Sequence, residues 1–316
     1  DAPFGKILIG STKPGYQDPL PYWRGQGVQP TVRIDTDWLW VGHLDEILMW
    51  VAPNKVLYAD PWKAADLLHE EIAEGRHGES LWFGFDAAGT NQPIQQVVIA
   101  PLGGGYKLST LPEPGLVNST SSETLVFSSE IFTVGDVLRV GDEILNVTAT
   151  NGVTVTVSRA HGGRPATAHA AGSKIYAYSD VMKENLPIGA SPMQKAWPNM
   201  SVAINQLRQA IEAYTIEFIP MPVLFSFRTI NGRSGYMAAT ANVVNGLLST
   251  ESIYCFPDTG CTAFNEYVGT VLPGACEITG AWIGLHCQAG EIHCATTAQR
   301  DLDLSTPWWD KLEQWE

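Results

Sequence analysis

Two short stretches carry residue types that can do chemistry together. Val41-Gly42-His43-Leu44-Asp45-Glu46 reads as the start of a strand after a loop holding Asp35 and Asp37. Alternation along an extended backbone puts His43 and Asp45 on the same side. An imidazole aimed with a carboxylate is an acid/base group beside an anion, suited to protonating a leaving group next to a bound cation. The second stretch, Gly290-Glu291-Ile292-His293-Cys294-Ala295-Thr296-Thr297, offers a thiol directly after an imidazole. A thiol becomes a nucleophile once its pKa is lowered. Adjacent strand residues face opposite ways, so the expected partner of Cys294 is His43 rather than His293. Each motif also has a plain reading, because His-Asp pairs and lone thiols are common in folded cores.

The remaining cysteines bear on compartment. Cys255, Cys261, Cys276 and Cys287 join Cys294 to make five, an odd number that leaves one thiol without an intramolecular partner under oxidising conditions. Sequons at Asn118, Asn146 and Asn199 fit N-glycosylation. The expectation is a secreted chain with short-loop bridges Cys255-Cys261 and Cys276-Cys287, Cys294 being the free thiol. The alternative is a cytosolic protein with five buried apolar cysteines.

Composition narrows the partners. With 45% apolar and 16% charged residues over 316 positions, the chain folds as one large domain or two ordinary ones. Acidic residues outnumber basic ones 33 to 19, a formal charge of -14. Nucleic acid and anionic membrane are therefore poor partners, and a cationic ligand is a better one. No apolar run approaches the roughly 20 residues of a membrane span, and Asp1-Ala2-Pro3-Phe4 resembles neither a signal peptide nor an initiator start, which reads as a processed product.

The elements that must position these groups read as α/β at both ends. Lys6 to Ile9 and Val32 to Ile34 are short strands, and Glu46 to Val51 with Lys55 to Tyr58 form a hairpin turning at Pro53-Asn54. Asp60 caps a helix with Pro61 at its first position, Ala65, Leu67, Leu68 and Ile72 at helical spacing, and Gly75 as its stop. Gly, Thr, Ser and Val dominate from about 88 to 182, with Gly-Asp and Asn-Gly turns separating short strands, so this is a small all-β unit. A helix from Ser201 to Tyr214 and strands Ile216 to Ile219 and Val223 to Phe227 restore the α/β texture. A β module inserted into one α/β domain explains this order best.

The motifs together carry a family resemblance. Gly-His-Leu-Asp-Glu (42–46) far upstream of Gly-Glu-Ile-His-Cys (290–294), with Trp308-Trp309 near the end, resembles the protein-arginine deiminases. Phe4 to Gly10, Asp37-Trp38-Leu39, Ala52-Pro53, Glu74 to Glu79, and Ile219-Pro220 leading to Leu224-Phe225 agree in order. The similarity covers about residues 3 to 88 and 190 to 310. It implies a pentein-type α/β propeller, incomplete in this chain, around a funnel that binds a guanidinium. The catalytic domain would be residues 1–88 and 183–316, with 89–182 the inserted β-rich module, whose Val134 to Glu143 run is similar to phage structural β modules.

By position, the resemblance makes Cys294 the nucleophile on the guanidinium carbon and His43 the general acid and then base. It makes Asp45 the carboxylate holding the guanidinium, and Val41 the wall beside the aliphatic stem. The implied reaction converts arginine in a peptide or protein to citrulline plus ammonia through a thiouronium intermediate, a hydrolysis of a guanidine C–N bond. Calcium is implied by the resemblance alone; the residues themselves specify no metal.

The family's second guanidinium-binding Asp and a substrate-orienting Arg lie upstream of the point matching Phe4. The expectation is that a companion N-terminal chain from the same precursor supplies that Asp. The family's Gly-Thr-Asn after the Cys becomes Ala295-Thr296-Thr297, and an Arg expected before Gly-Glu is replaced around Gln288-Ala289. The competing readings are another pentein guanidine hydrolase, acting on arginine, agmatine or dimethylarginine, and a non-catalytic binding protein.

Other residues take the plain reading. His69 and His77, near Glu70, Glu71 and Glu79, sit on a solvated helix face in preference to a metal site. His161 and His169 lie in the β module without an evident partner set. Trp38 and Trp40 flank the site, the tryptophans otherwise packing; Asp301 and Asp303 belong to a solvated tail.

Overall fold

The hairpin forms where it is expected. Leu48–Ala52 pairs antiparallel with Lys55–Asp60 around Pro53-Asn54. In the computed structural model, which describes residues 5–13, 15, 17–85, 91–117, 122–188, 195–212, 214–249, 253–288 and 290–296, the second hairpin strand also pairs parallel with Glu217–Pro222. These make a three-stranded sheet from segments far apart in the chain. Asp60 ends the strand and caps the helix Pro61–Ala73, its carboxylate accepting from the amides of Trp62 at 2.8 Å and Lys63 at 3.2 Å. Gly75 then takes a φ of 83°, open to glycine at no steric cost, and the helix stops.

Ile7–Ile9 and Thr31–Arg33 pair parallel. The later helix runs Ala196–Ala210, starting before Ser201, because Pro198 lies within the first turn, where no intrahelical N–H is required. Its Met200, Ala203, Ile204 and Leu207 pack with Ile34, Leu39, Leu57 and Phe225 in one core.

Six strands of the β-rich segment lie together in one antiparallel sheet drawn from residues 108–177. Its order is Glu123–Val126, Thr154–Ser158, Glu143–Asn151, Val137–Val140, Lys174–Ala177, Leu108–Thr110. Period-two alternation buries Leu125, Val155, Val157, Leu145, Val147, Leu138, Val140 and Ile175 on one face. The other face does not stand alone. Val137, Ile144, Tyr176 and Tyr178 share a core with Leu68 and Ile72 of the capped helix and with Ile94, Val97 and Val98. The buried Arg139 guanidinium reaches Asp66 of that helix at 2.9 Å, and Arg164 reaches the same carboxylate at 2.8 Å. Charge pairing thus fastens sheet to helix.

Several sequence expectations change here. His161 and His169 do have partners: His161 sits between Asn146 at 3.0 Å and Ser158 at 2.8 Å, and His169 lies 3.1 Å from Glu143. The strand turns bring these polar groups together, which spacing along the chain does not reveal. Asn146 lies in the strand Glu143–Asn151, and the Asn199 amide donates to Lys195 O at 2.9 Å within a helix, so both sequon amides already have structural partners; Asn118 is outside the described residues. Neither expected bridge, Cys255–Cys261 nor Cys276–Cys287, is formed among the described residues. Cys255 is in register with Cys276 on the neighbouring parallel strand, while Cys261 is buried at the start of the helix Thr262–Val271. Strand pairing, not loop length, decides which thiols meet.

Candidate active site

The His43 stretch is a turn, not a strand. Gly42 adopts a φ of 89°, which breaks the extended run, and Leu44–Glu46 forms a single 3-10 turn. The Glu46 side chain folds back so that Oε1 accepts from the amides of Gly42 at 3.0 Å and His43 at 2.7 Å. The expected alternation is therefore overturned, yet the turn still brings His43 Nδ1 to 3.9 Å from Asp45 Oδ1.

Neighbouring segments fix this loop. Trp40 donates its amide to Tyr236 O at 2.7 Å, and Tyr236 donates to Trp38 O at 2.8 Å. Gly235 permits the approach, since a Cβ there would lie 2.7 Å from the Trp40 backbone. Arg233 stacks on Trp40 and donates to Val41 O at 3.1 Å. Trp38 packs edge-on against Phe225 and Tyr236, so it belongs to the core rather than to the site wall.

The thiol stretch arrives through Asn245, which sequence reasoning missed. Its Nδ2 donates to Asp45 O at 3.1 Å, its Oδ1 accepts from the Cys294 amide at 3.3 Å, and its backbone carbonyl accepts from the His293 amide at 3.1 Å. One buried side chain thus ties the two motifs together. Asn242 does similar work, donating from Nδ2 to Glu46 O at 2.8 Å. The Asn-x-x-Asn-Gly spelling at 242–246 is the signal that was available, but it reads as an ordinary turn.

The nitrogen, carboxylate and sulfur atoms that His43, Asp45 and Cys294 can offer all lie within 4.8 Å of one another. His293 joins them, its Nδ1 2.6 Å from Asp45 Oδ2. The expectation that His293 faces away holds for an extended strand; residues 290–296 are instead turns, which curl the imidazole onto Asp45.

A cavity of about 130 Å³ is lined by Val41, His43, Glu46, Asn245, Glu291 and Cys294, among others. Asp45 instead lines an adjoining wider cleft of about 690 Å³ with Val41, His43 and Lys13. Burial raises the Cys294 thiol above its ordinary value, and the Asp45 carboxylate adds to the rise. Burial likewise lifts the Glu46 carboxyl to about 7. Burial and neighbouring carboxylates thus both disfavour the thiolate in this site.

His69 is buried, bonded to the Tyr176 hydroxyl, and pushed down to about 3 by burial, so it is a neutral core histidine. Among the described residues, His43, Asp45 and Cys294 are the group that could hold a metal. Calcium takes six to eight oxygen donors, and a set of imidazole, thiol and one carboxylate does not fit it. Thr297, Trp308, Trp309, Asp301 and Asp303 lie outside the described residues.

The cavity and the adjoining cleft thus bring an imidazole, a carboxylate and a thiol within reach of one another, the residue types of a cysteine-based site. Residues 1–102, about a third of the chain, match the family model "Protein-arginine deiminase (PAD)". The matched segment contains Val41, His43 and Asp45; Cys294 lies beyond it.

Among curated relatives, protein-arginine deiminase type-3 of Rattus norvegicus is 40% identical over 92 residues. Type-4 of Homo sapiens is 37% identical over 93 residues, and type-1 of Homo sapiens is 37% identical over 92. Each match covers 26% of this chain and 14% of the relative, so the matched part is about one seventh of the relatives' length.

Proposed function

We propose that the chain hydrolyses the guanidinium of arginine in a peptide or protein, giving citrulline and ammonia. The observation that carries the reading is the convergence of His43, Asp45 and Cys294 within 4.8 Å from opposite ends of the chain. The family-model match over residues 1–102 and the names of the matched relatives support it.

The chemistry follows from the charges. A guanidinium entering beside Asp45 brings the positive charge that the raised thiol lacks, and Cys294 releases its proton to His43. Sγ attacks the guanidinium carbon, a C–N bond breaks, and His43 returns the proton to the departing amine, which leaves as ammonia. The thiouronium that remains is attacked by water, with His43 now the base, and the C–S bond breaks to release citrulline and the thiol. The six-stranded sheet of residues 108–177 belongs to the proposed inserted module and contributes no residue named in this chemistry.

The test is product analysis with an arginine-containing peptide, free arginine and agmatine. Citrulline retained in the peptide supports the proposal. Turnover confined to the free small molecules points to another guanidine hydrolase, and no turnover with any of the three points to a binding protein. Cys294→Ser should abolish turnover and covalent labelling by a haloacetamidine; full activity in that variant would overturn the role of the thiol.

A further inference from the structure

Glu291 is 6% exposed and lines the same cavity as Cys294 and His43. Its two oxygens have different fates. Oε1 accepts from the Asn242 amide at 3.0 Å and is in close contact with His286 Nδ1. Oε2 is buried and has no hydrogen-bond partner among the described residues. A buried carboxylate oxygen without a hydrogen-bond partner is unusual in a folded protein and leaves an acceptor for a donor supplied from outside.

The support behind Oε1 is rigid. His286 is 3% exposed and stacks between Trp282, at a ring distance of 4.1 Å, and Phe85, at 5.3 Å. Its Nε2 donates to Gly84 O at 3.1 Å and its Nδ1 faces Glu291 Oε1, which fixes the orientation of the carboxyl group and leaves Oε2 as an acceptor. The cavity lining includes Glu46 and Glu291 and neither Lys nor Arg. Asp45 lines the neighbouring cleft instead, and one of its oxygens is taken by His293.

We propose that Glu291 Oε2 accepts an N–H of the substrate's guanidinium, making Glu291 a cation-binding residue of this site alongside Asp45. A guanidinium carries five N–H donors in a planar fork and is held best by acceptors on more than one side. Glu291 sits three residues before Cys294 on the same turn segment, so a cation bound through it is delivered beside the thiol. This deepens the deiminase reading and rests on it.

The experiment compares wild type with Glu291→Gln, which keeps the shape and turns an amide toward the cavity or toward His286. KM for an arginine-containing peptide should rise about tenfold with kcat changed far less, as expected for lost binding. In parallel, Cys294 is labelled by chloroacetamidine, which is cationic, and by neutral iodoacetamide. The ratio of the two rates should fall about tenfold in the variant, the size of one charge-assisted hydrogen bond. An unchanged ratio overturns the proposal.

Absence of citrulline from wild type would reject the deiminase reading, while the labelling ratio still reports cation binding at Glu291. Should Glu291→Gln fail to fold, the structure of Cys294→Ser with a bound arginine peptide decides. A guanidinium nitrogen within about 3.2 Å of Oε2 supports the proposal, and a guanidinium held elsewhere, or no binding, overturns it.

Discussion

Nδ1 of His293 lies 2.6 Å from Oδ2 of Asp45, a contact between residues 248 positions apart. It leaves Oδ1 of Asp45 facing His43 at 3.9 Å, so a single carboxylate stands between two imidazoles. Asp45 is thereby oriented by the segment that also delivers the thiol. Any loosening of the 290–296 turns disturbs the carboxylate and the nucleophile together.

His293→Ala should therefore reduce kcat/KM about tenfold, the worth of one charge-assisted hydrogen bond, through misorientation of Asp45. His293→Asn, which can still donate to the carboxylate, should recover part of the loss. Citrulline formation under steady-state conditions measures both variants. Equal activity of His293→Ala and wild type would show that the contact does not orient Asp45.

The thiol predicts its own pH dependence. Burial, and after it the Asp45 carboxylate, raises Cys294, so its alkylation by neutral iodoacetamide should titrate above the ordinary thiol value of about 8.5. Asp45→Asn removes a negative neighbour and should move the inflection toward lower pH. An arginine peptide bound in the site should do the same by bringing positive charge. An inflection at or below that of a free cysteine in the unliganded protein would contradict the electrostatics of the site.

Glu46 makes stability pH-dependent. Its folded carboxyl titrates at about 7, above the roughly 4.3 of an unfolded glutamate, so the folded chain holds this proton more tightly. Its contribution is full below the unfolded value and is lost as pH rises through the folded one, a loss of up to about 4 kcal/mol. Glu46→Gln keeps an acceptor for the Gly42 and His43 amides and escapes that loss. The Tm of the variant relative to wild type should increase from pH 5 to pH 8, as followed by calorimetry. A difference independent of pH would show that the carboxyl is not held protonated.

The antiparallel sheet carries a buried ion pair remote from the chemistry. Arg159 and Glu143 side chains are both 0% exposed and meet at 2.6 Å, with Glu123 and His169 completing the cluster. Glu143→Ala should cost about 3 to 5 kcal/mol by leaving the Arg159 charge buried and under-partnered. Chemical denaturation measures the loss. A change within about 0.5 kcal/mol, the range of ordinary surface substitutions, would mean that the cluster relaxes to water.

Much of the architecture is readable before folding is considered, and for local reasons. Asp60, Pro61 and Gly75 specify the start and stop of the helix Pro61–Ala73, because caps act within one turn. Pro53-Asn54 specifies the hairpin, and alternation specifies the strands of residues 108–177. His43, Asp45 and Cys294 were visible as residue types suited to one reaction.

What the tertiary structure alone decided is how those residues meet. A left-handed Gly42 turns the His43 stretch into a 3-10 turn, Asn245 joins it to Cys294, and Cys255 faces Cys276 because two parallel strands share a register. Glu291 and His286 enter the site by the same route. The physical reason is range: capping and alternation act over a few residues, whereas these contacts depend on the packing that brings distant segments together.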